Sequence, residues 1–380
     1  MATRQKKGSI PSLYAESTHN FNVISPKGIS KKTPSASVNS KDPTIGLQRR
    51  RLSVVSDNKL VEGLAQVSTA ETECIENGNG LITSFAGVSK KGYAPYNPRK
   101  KNQDTMVLQF DSDSKTLLFC VFDGHGEVGE FVSQALRDKF PAELCKHSKY
   151  LSKDLKALQS AISDSLQIVE RNILRDSNID TEFSGTTASI GLLRDNVLIV
   201  ANVGDSRIVR GYTEIELTFG SQDISIDHKP DLPEEKTRIL KSGGRVFAVE
   251  YDDGVDGPPR VWLGHLDVPG LAMSRSIGDA VAHTAGVISD PEFFTHTLSA
   301  SDRCFVMATD GLWEFMNTKE VIEMTVNEES PKAAVDVLLA EANRRWMKEE
   351  QVIDDTTVIV VFMDPKAPTG GNALSCKASN

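Results

Sequence analysis

Six consecutive apolar residues, Leu117 to Phe122, end abruptly at Asp123-Gly124-His125-Gly126. A short run without alternation reads as a buried strand, so the chain needs a layered core to enclose it. Where the strand stops, it delivers a carboxylate, an unobstructed carbonyl and an imidazole to one place. Gly124 has no Cβ, so its carbonyl can approach a cation closely. His125 offers a proton-transfer group near neutral pH. Gly126 frees the backbone to enter a helix.

Three other acids stand at the ends or starts of apolar runs: Asp104 before Met106 to Phe110, Asp310 after Phe305 to Thr309, and Asp354-Asp355 before Thr357 to Met363. Singly, each reads as a turn aspartate. In an antiparallel stack, however, the end of one strand meets the start of its neighbour at the same edge, so the four positions can converge on one rim. Carboxylates gathered there repel one another unless cations hold them. An oxygen-rich set with few nitrogen or sulfur donors suits hard cations such as Mg²⁺ or Mn²⁺.

The surrounding pattern is that of an α+β protein. Apolar residues at helical spacing run from Val128 and Phe131 to Phe140, and again from Leu151 to Ile173. Thr187–Leu193 and Val197–Val203 flank a short polar turn and predict a hairpin, with Arg207–Tyr212 continuing its ladder. Residues 220–265 carry Pro230, Pro233, Gly243-Gly244, Pro258 and Pro259 around a short helix, Glu234 to Lys241, and read as an irregular flap beside a site. Asn317 with Glu320 forms a capping-box pattern, and Ser330-Pro331 opens the last helix. Strands come in clusters joined by hairpins, and the long helices lie between the clusters. This predicts two mainly antiparallel sheets packed together with helices on the outer faces, a four-layer αββα sandwich.

Residues 1–78 are poor in aromatics and lack sustained periodicity, which predicts a disordered basic extension. The folded domain is expected over 79–364 and a flexible tail over 365–380. Residues 1–70 carry a net charge of +7 and the remainder −16. The acidic body argues against nucleic acid as the main partner, and the opposed charges suggest a weak contact between extension and body. Ser53, after Arg49-Arg50-Arg51-Leu52, has the setting of a basophilic kinase site, a nuclear-import patch or plain solvated charge. The N-terminus is basic without an apolar stretch and has Ala2 in place of Gly, so neither a secretory signal nor myristoylation is expected. No apolar run is long enough to span a membrane. The five scattered cysteines predict a reducing compartment, cytoplasmic or nuclear, and no disulfide framework or zinc site. Nothing demands an oligomer, and a monomer is expected.

Taken together, these motifs resemble the metal-dependent protein serine/threonine phosphatases of type 2C. The similarity runs from about Gly87 to Met363. It is carried by Asn102-Gln103-Asp104, Phe122-Asp123-Gly124-His125-Gly126, Ser184-Gly185-Thr186-Thr187-Ala188, Asn202-Val203-Gly204-Asp205-Ser206-Arg207, Asp227-His228-Lys229-Pro230, Gly243-Gly244-Arg245-Val246, Ser274-Arg275-Ser276-Ile277-Gly278-Asp279, Asp310-Gly311-Leu312-Trp313 and Asp354-Asp355-Thr356-Thr357, in the family's order.

The resemblance implies hydrolysis of phosphoserine and phosphothreonine in proteins by water activated at two Mg²⁺ or Mn²⁺ ions, with no phosphoenzyme. Asp123 resembles the carboxylate bridging the metals, the Gly124 carbonyl a ligand of one, and Asp310 and Asp354 ligands of the other, with Asp355 as the alternative to Asp354. Asp104 resembles the acidic group that orients water at the metals. Arg99 is placed like the arginine that grips the phosphate, or Lys100 if the register slips by one. His125 resembles the general acid. A third, weaker metal site in the family would draw on Glu182 with Asp310. Gly185, Gly204 and Gly278 read as turn or close-packing positions, and Asp205 and Asp279 as structural carboxylates. Gln103 stands where many members carry Glu, which raises the alternative of an inactive pseudophosphatase acting as a binding module.

Overall fold

The computed structural model describes residues 67–76, 81–214, 218–251 and 254–365. Ser53, the three arginines before it and the tail from residue 366 lie outside them.

The strand β4 (Thr116–Phe122) is buried at all seven positions because both of its faces meet a core. Leu118, Cys120 and Phe122 point into one apolar cluster, and Leu117, Phe119 and Val121 into another. Period-two alternation thus divides a uniformly apolar run between two layers. β4 lies inside a five-stranded antiparallel sheet of order β15 (Glu292–Thr297), β8 (Val197–Val203), β7 (Ala188–Arg194), β4 and β3 (Thr105–Asp111). A six-stranded antiparallel sheet packs against it, in the order β1 (Val67–Glu76), β2 (Leu81–Lys90), β17 (Thr356–Pro365), β16 (Asp302–Ala308), β9 (Arg207–Thr213) and β10 (Phe219–Asp223). The inter-sheet core holds Phe85, Phe119, Ile208, Phe305 and Ile359.

Helices α1 (Gly129–Lys146) and α2 (Leu155–Leu174) cover the five-stranded sheet through Leu136, Phe140, Ile162 and Leu166. Helices α5 (Asp310–Trp313), α6 (Thr318–Val326) and α7 (Pro331–Glu349) cover the other through Val321, Val335 and Leu338. The layers therefore run α, β, β, α, as the sequence predicts. The Asn317–Glu320 capping box is formed, and Ser330 caps α7 by accepting from the Ala333 amide. Among the described residues, no helix is long and apolar enough to cross a membrane.

Several elements differ from expectation. The hairpin β7–β8 forms, but β9 does not continue its ladder. Gly204, at φ 99°, turns the chain into the other sheet, where β9 pairs with β16, and β15 takes the place beside β8. β9 suits that position because Ile208 fills the inter-sheet core while Val209 fills the outer one. Val128 caps α1 rather than joining it, and Phe131 is exposed with the Lys101 ammonium 5.1 Å from its ring centre. Leu151 is exposed because α2 begins only after Asp154, whose carboxylate accepts from the amides of Lys156 and Ala157. Strand β1, at Val67–Glu76, lies within residues 1–78.

The flap region contains more regular structure than its prolines suggest. Helix α3 (Pro233–Lys241) precedes a three-stranded sheet, β11 (Arg245–Tyr251), β12 (Gly254–Trp262) and β13 (Pro269–Leu271). Pro258 and Pro259 fall where the β11–β12 register slips between Phe247 and Val249, so no ladder amide is lost there. Ile239, Val261, Leu271 and Met273 form its own small core with Ala282 of helix α4 (Ala280–Thr284). A last sheet of two-residue strands, β14 (Ile277–Gly278), β6 (Gly185–Thr186) and β5 (Gly124–His125), lies just beyond β4.

Candidate active site

The four acids are brought to one rim by strand register. Thr105 pairs with Phe122, which sets Asp104 beside Asp123. Ala308 pairs with Val358, which sets Asp310, opening α5, near the start of β17. The two sheets are clasped here through Asp104. Its Oδ2 accepts from the Thr309 and Thr357 hydroxyls, each at 2.8 Å, and its backbone carbonyl accepts from the Ser89 hydroxyl at 3.3 Å. Burial and then the charge of Asp355 push the Asp104 carboxyl up to about 7, against the opposing effect of the two threonine hydrogen bonds.

Asp123 and Asp310 keep some solvent contact although protein surrounds them, as carboxylates on the floor of a recess do. Both are pushed well above the usual carboxylate range. For Asp123 the cause is burial, then the charges of Asp104, Asp310 and Asp354; for Asp310 it is burial, then Asp205 and Asp354. The two carboxyls act on one another, the charge of Asp310 opposing the ionisation of Asp123. Such a pair is reconciled only by a shared proton or by a cation.

Asp354 and Asp355 differ in their settings. Asp355 is buried and tied to the backbone, accepting from the Gly92 amide at 2.7 Å and the Gln103 amide at 2.9 Å. Asp354 is more open, at 43% side-chain exposure, and its charge acts on both Asp123 and Asp310. Arg99 and Lys100 differ as well. Lys100 sits 2.6 Å from Asp355 and 3.4 Å from Asp354, which occupies it. Arg99 stands exposed.

Gly124 admits no side chain: a Cβ there would lie 2.5 Å from the Gln103 carbonyl and 2.6 Å from that of Gly129. The Gln103 side chain is turned to the loop and helix, donating to the Gly126 carbonyl at 2.9 Å and to Glu130 at 3.3 Å. His125 Nε2 lies 2.6 Å from Asp279 Oδ2. Burial works to lower the His125 pKa, but the Asp279 carboxylate, followed by Asp205 and Asp310, holds it above its ordinary value.

Glu182 is exposed; after burial, the strongest influence raising Asp310 is Asp205. Asp205 holds the Lys229 ammonium 2.6 Å from its Oδ2, and its charge also acts on Asp310. The signal was present: Asn202-Val203-Gly204-Asp205 ends an apolar strand just as Phe122-Asp123-Gly124 does.

Among the described residues, no three His, Cys, Asp or Glu side chains converge as a ready-made chelate. The donor set nevertheless fits a hard dication. It consists of carboxylate and carbonyl oxygens, and its central pair, Asp123 and Asp310, is held at a spacing that negative charge alone disfavours.

His228, beneath the site, makes a separate prediction. Its Nδ1 accepts from the Gly204 amide at 3.1 Å and its Nε2 lies 3.1 Å from Glu292. Burial, then the charge of Arg275, push it down to about 4, against Glu235 and Glu292. A histidine depressed in the folded state stabilises the fold above its unfolded pKa of 6.5, and this contribution is lost as pH falls from there towards 4. The loss is bounded at roughly 3 kcal/mol. Urea unfolding of wild type and His228→Gln at pH 7 and pH 5 checks it: the wild type should lose the more stability of the two, and parallel losses would exclude His228.

Residues 96–352 match the family profile described as Protein phosphatase 2C. The chain is 32% identical over 299 residues to "Probable protein phosphatase 2C 52" of Arabidopsis thaliana, covering 70% of this chain and 63% of that protein. It is 35% identical over 298 residues to "Probable protein phosphatase 2C 64" of Oryza sativa subsp. japonica, covering 76% and 69%. Among solved structures, it resembles the serine-threonine phosphatase 2C from Toxoplasma gondii with a TM-score of 0.65 at 22% identity, over 79% of this chain and 99% of that one, a likeness of fold.

Proposed function

The chain belongs to the protein phosphatase 2C family, and on that footing we propose that it is a metal-dependent protein serine/threonine phosphatase that uses no phosphoenzyme. The observation that carries this reading is the Asp123–Asp310 pair, set at the meeting of two sheets with Asp354 alongside.

Asp123, Asp310 and Asp354, with the Gly124 carbonyl, would hold two Mg²⁺ or Mn²⁺ ions, and Asp205, whose charge acts on Asp310, would serve a weaker third in preference to the exposed Glu182. Bound there, the cations supply positive charge against the phosphate dianion and make water acidic enough to attack it. Asp104, fixed by Thr309 and Thr357, orients that water. Arg99 grips the non-bridging phosphate oxygens with its planar fork, a geometry that lysine lacks. His125 gives a proton to the departing serine or threonine oxygen. Cys120 and Cys304 are buried, and burial pushes both thiols up, Cys304 to about 12, so neither offers a thiolate nucleophile.

The pseudophosphatase reading rested on Gln103 alone. With its amide anchored to Gly126 and Glu130, Gln103 is accounted for by packing, since a glutamate there would face Glu130. The test is hydrolysis of a phosphothreonine peptide. We expect turnover with Mn²⁺ or Mg²⁺ and loss of it in excess EDTA. Persistence in EDTA would rule out the metal mechanism. An inert protein with no Mn²⁺ binding by calorimetry would favour the binding module.

A further inference from the structure

His125 and Asp279 come together through a feature that the phosphatase reading leaves unused. In the small sheet β14–β6–β5, His125 pairs with Gly185, and Gly185 with Gly278. The three residues form one row, and Asp279 follows its last member. To reach His125, the Asp279 carboxylate must cross over Gly185. It does so because that position has no side chain: a Cβ on Gly185 would lie 2.2 Å from Asp279 Oδ2. Asp279 is itself held for the task. It is 2% exposed, its backbone adopts a left-handed conformation at φ 43°, and its amide donates to the Ser184 carbonyl at 3.0 Å. Such a conformation is strained for a non-glycine residue and persists only where its surroundings enforce it.

The opposite edge of the imidazole is as informative. His125 Nδ1 is shielded from solvent and has no hydrogen-bond partner, although the side chain as a whole is 21% exposed. A buried polar atom left unpaired is costly in a folded protein and calls for a reason. Among the described residues, Asp279 is therefore the one hydrogen-bond partner that fixes the orientation of the ring.

We propose that Asp279 is the positioning residue of a His125–Asp279 dyad, holding the imidazole in the one orientation from which it serves the leaving group. The inference rests on the phosphatase reading. As the P–O bond breaks, the imidazolium gives a ring proton to the departing oxygen. The serine or threonine leaves as a neutral alcohol, and the ring remains neutral, still held by Asp279.

Leaving groups provide the test. An alkoxide must be protonated as it departs, whereas p-nitrophenolate is stable as an anion. Asp279→Asn should lower kcat on a phosphothreonine peptide by about 30- to 100-fold, and the ratio of the peptide rate to that on p-nitrophenyl phosphate should fall at least about tenfold. Adding Asp279→Asn to His125→Asn should cost no more than about threefold further, because the two act as one unit. Independently of turnover, the metal-free wild type should show a low-field imidazole N–H proton resonance that Asp279→Asn abolishes. Equal losses on both substrates, full additivity of the two substitutions, or an unchanged imidazole resonance would each overturn the dyad. Failure of the phosphatase reading looks different: the wild type with Mn²⁺ would then hydrolyse neither substrate.

Discussion

Asp123→Asn should abolish turnover while leaving the metal-free protein as stable as the wild type, or more so. Asp123 is surrounded by Asp104, Asp310 and Asp354, and the charges of all three oppose its ionisation. Without cations, this is an arrangement that folding tolerates rather than benefits from. Removing one charge relieves the others, so in EDTA the melting temperature of the variant should equal or exceed that of the wild type. With Mn²⁺ the order reverses. The wild type gains stability from a ligand bound only by the folded state, and the variant gains little. Turnover of a phosphothreonine peptide should fall roughly a thousandfold or more, equivalent to about 4 kcal/mol of transition-state stabilisation. Two assays decide it: kcat with saturating Mn²⁺, and thermal melts with EDTA and with Mn²⁺. A variant that keeps a tenth of the activity, or that melts well below the wild type in EDTA, contradicts the proposed role.

The second large effect concerns stability alone. Gly191 of β7 lies directly across from Phe119 of β4 in the ladder. A Cβ at Gly191 would stand 2.4 Å from two carbons of the Phe119 ring. Phe119 is fully buried between the sheets and has nowhere to move. Gly191→Val should therefore leave little folded protein, since one such clash consumes much of the roughly 5–15 kcal/mol that holds a domain together. Phe119→Ala should cost about 3–5 kcal/mol by opening a cavity. The two positions should couple: Gly191→Ala is expected to be less harmful in a Phe119→Leu background than alone. Urea unfolding of the single and double variants measures that coupling. Strict additivity would mean that the ring and the glycine do not share the space.

What was legible in the sequence follows from how local each signal is. The β4 run, the β7–β8 hairpin, the Asn317–Glu320 box and the acids at strand ends are all patterns within a few residues, and each appears where it was read. Sheet membership is not local. Arg207–Tyr212 follows a hairpin and looks like its continuation, but the positive φ of Gly204 carries it into the other layer. Strand β15 escaped notice because Glu292–Thr297 mixes exposed and half-buried residues at the sheet edge, without an apolar run to announce it. Phe131 and Leu151 fit the helical stripes by spacing, yet one is covered by Lys101 and the other precedes the helix cap. At the candidate site, motifs picked out the carboxylates that strand register brings to one rim, but only contacts show how Asp354 differs from Asp355 and Arg99 from Lys100. Asp205 ends an apolar strand as Asp123 does, but that local pattern does not say which neighbour it meets; the fold sets it near Asp310.

The pairing of β2 with β17 has a consequence for how the protein is made. Leu81–Lys90 hydrogen-bonds with Thr356–Pro365, which is synthesised more than two hundred residues later. Thr357, at the start of β17, is one of the two hydroxyls that fix Asp104, and Asp354 immediately precedes that strand. A growing polypeptide on the ribosome therefore carries most of the acidic residues for a long time without being able to assemble them. Nascent chains and products truncated before this strand should be catalytically silent, so activity begins only when synthesis has reached the closing strand.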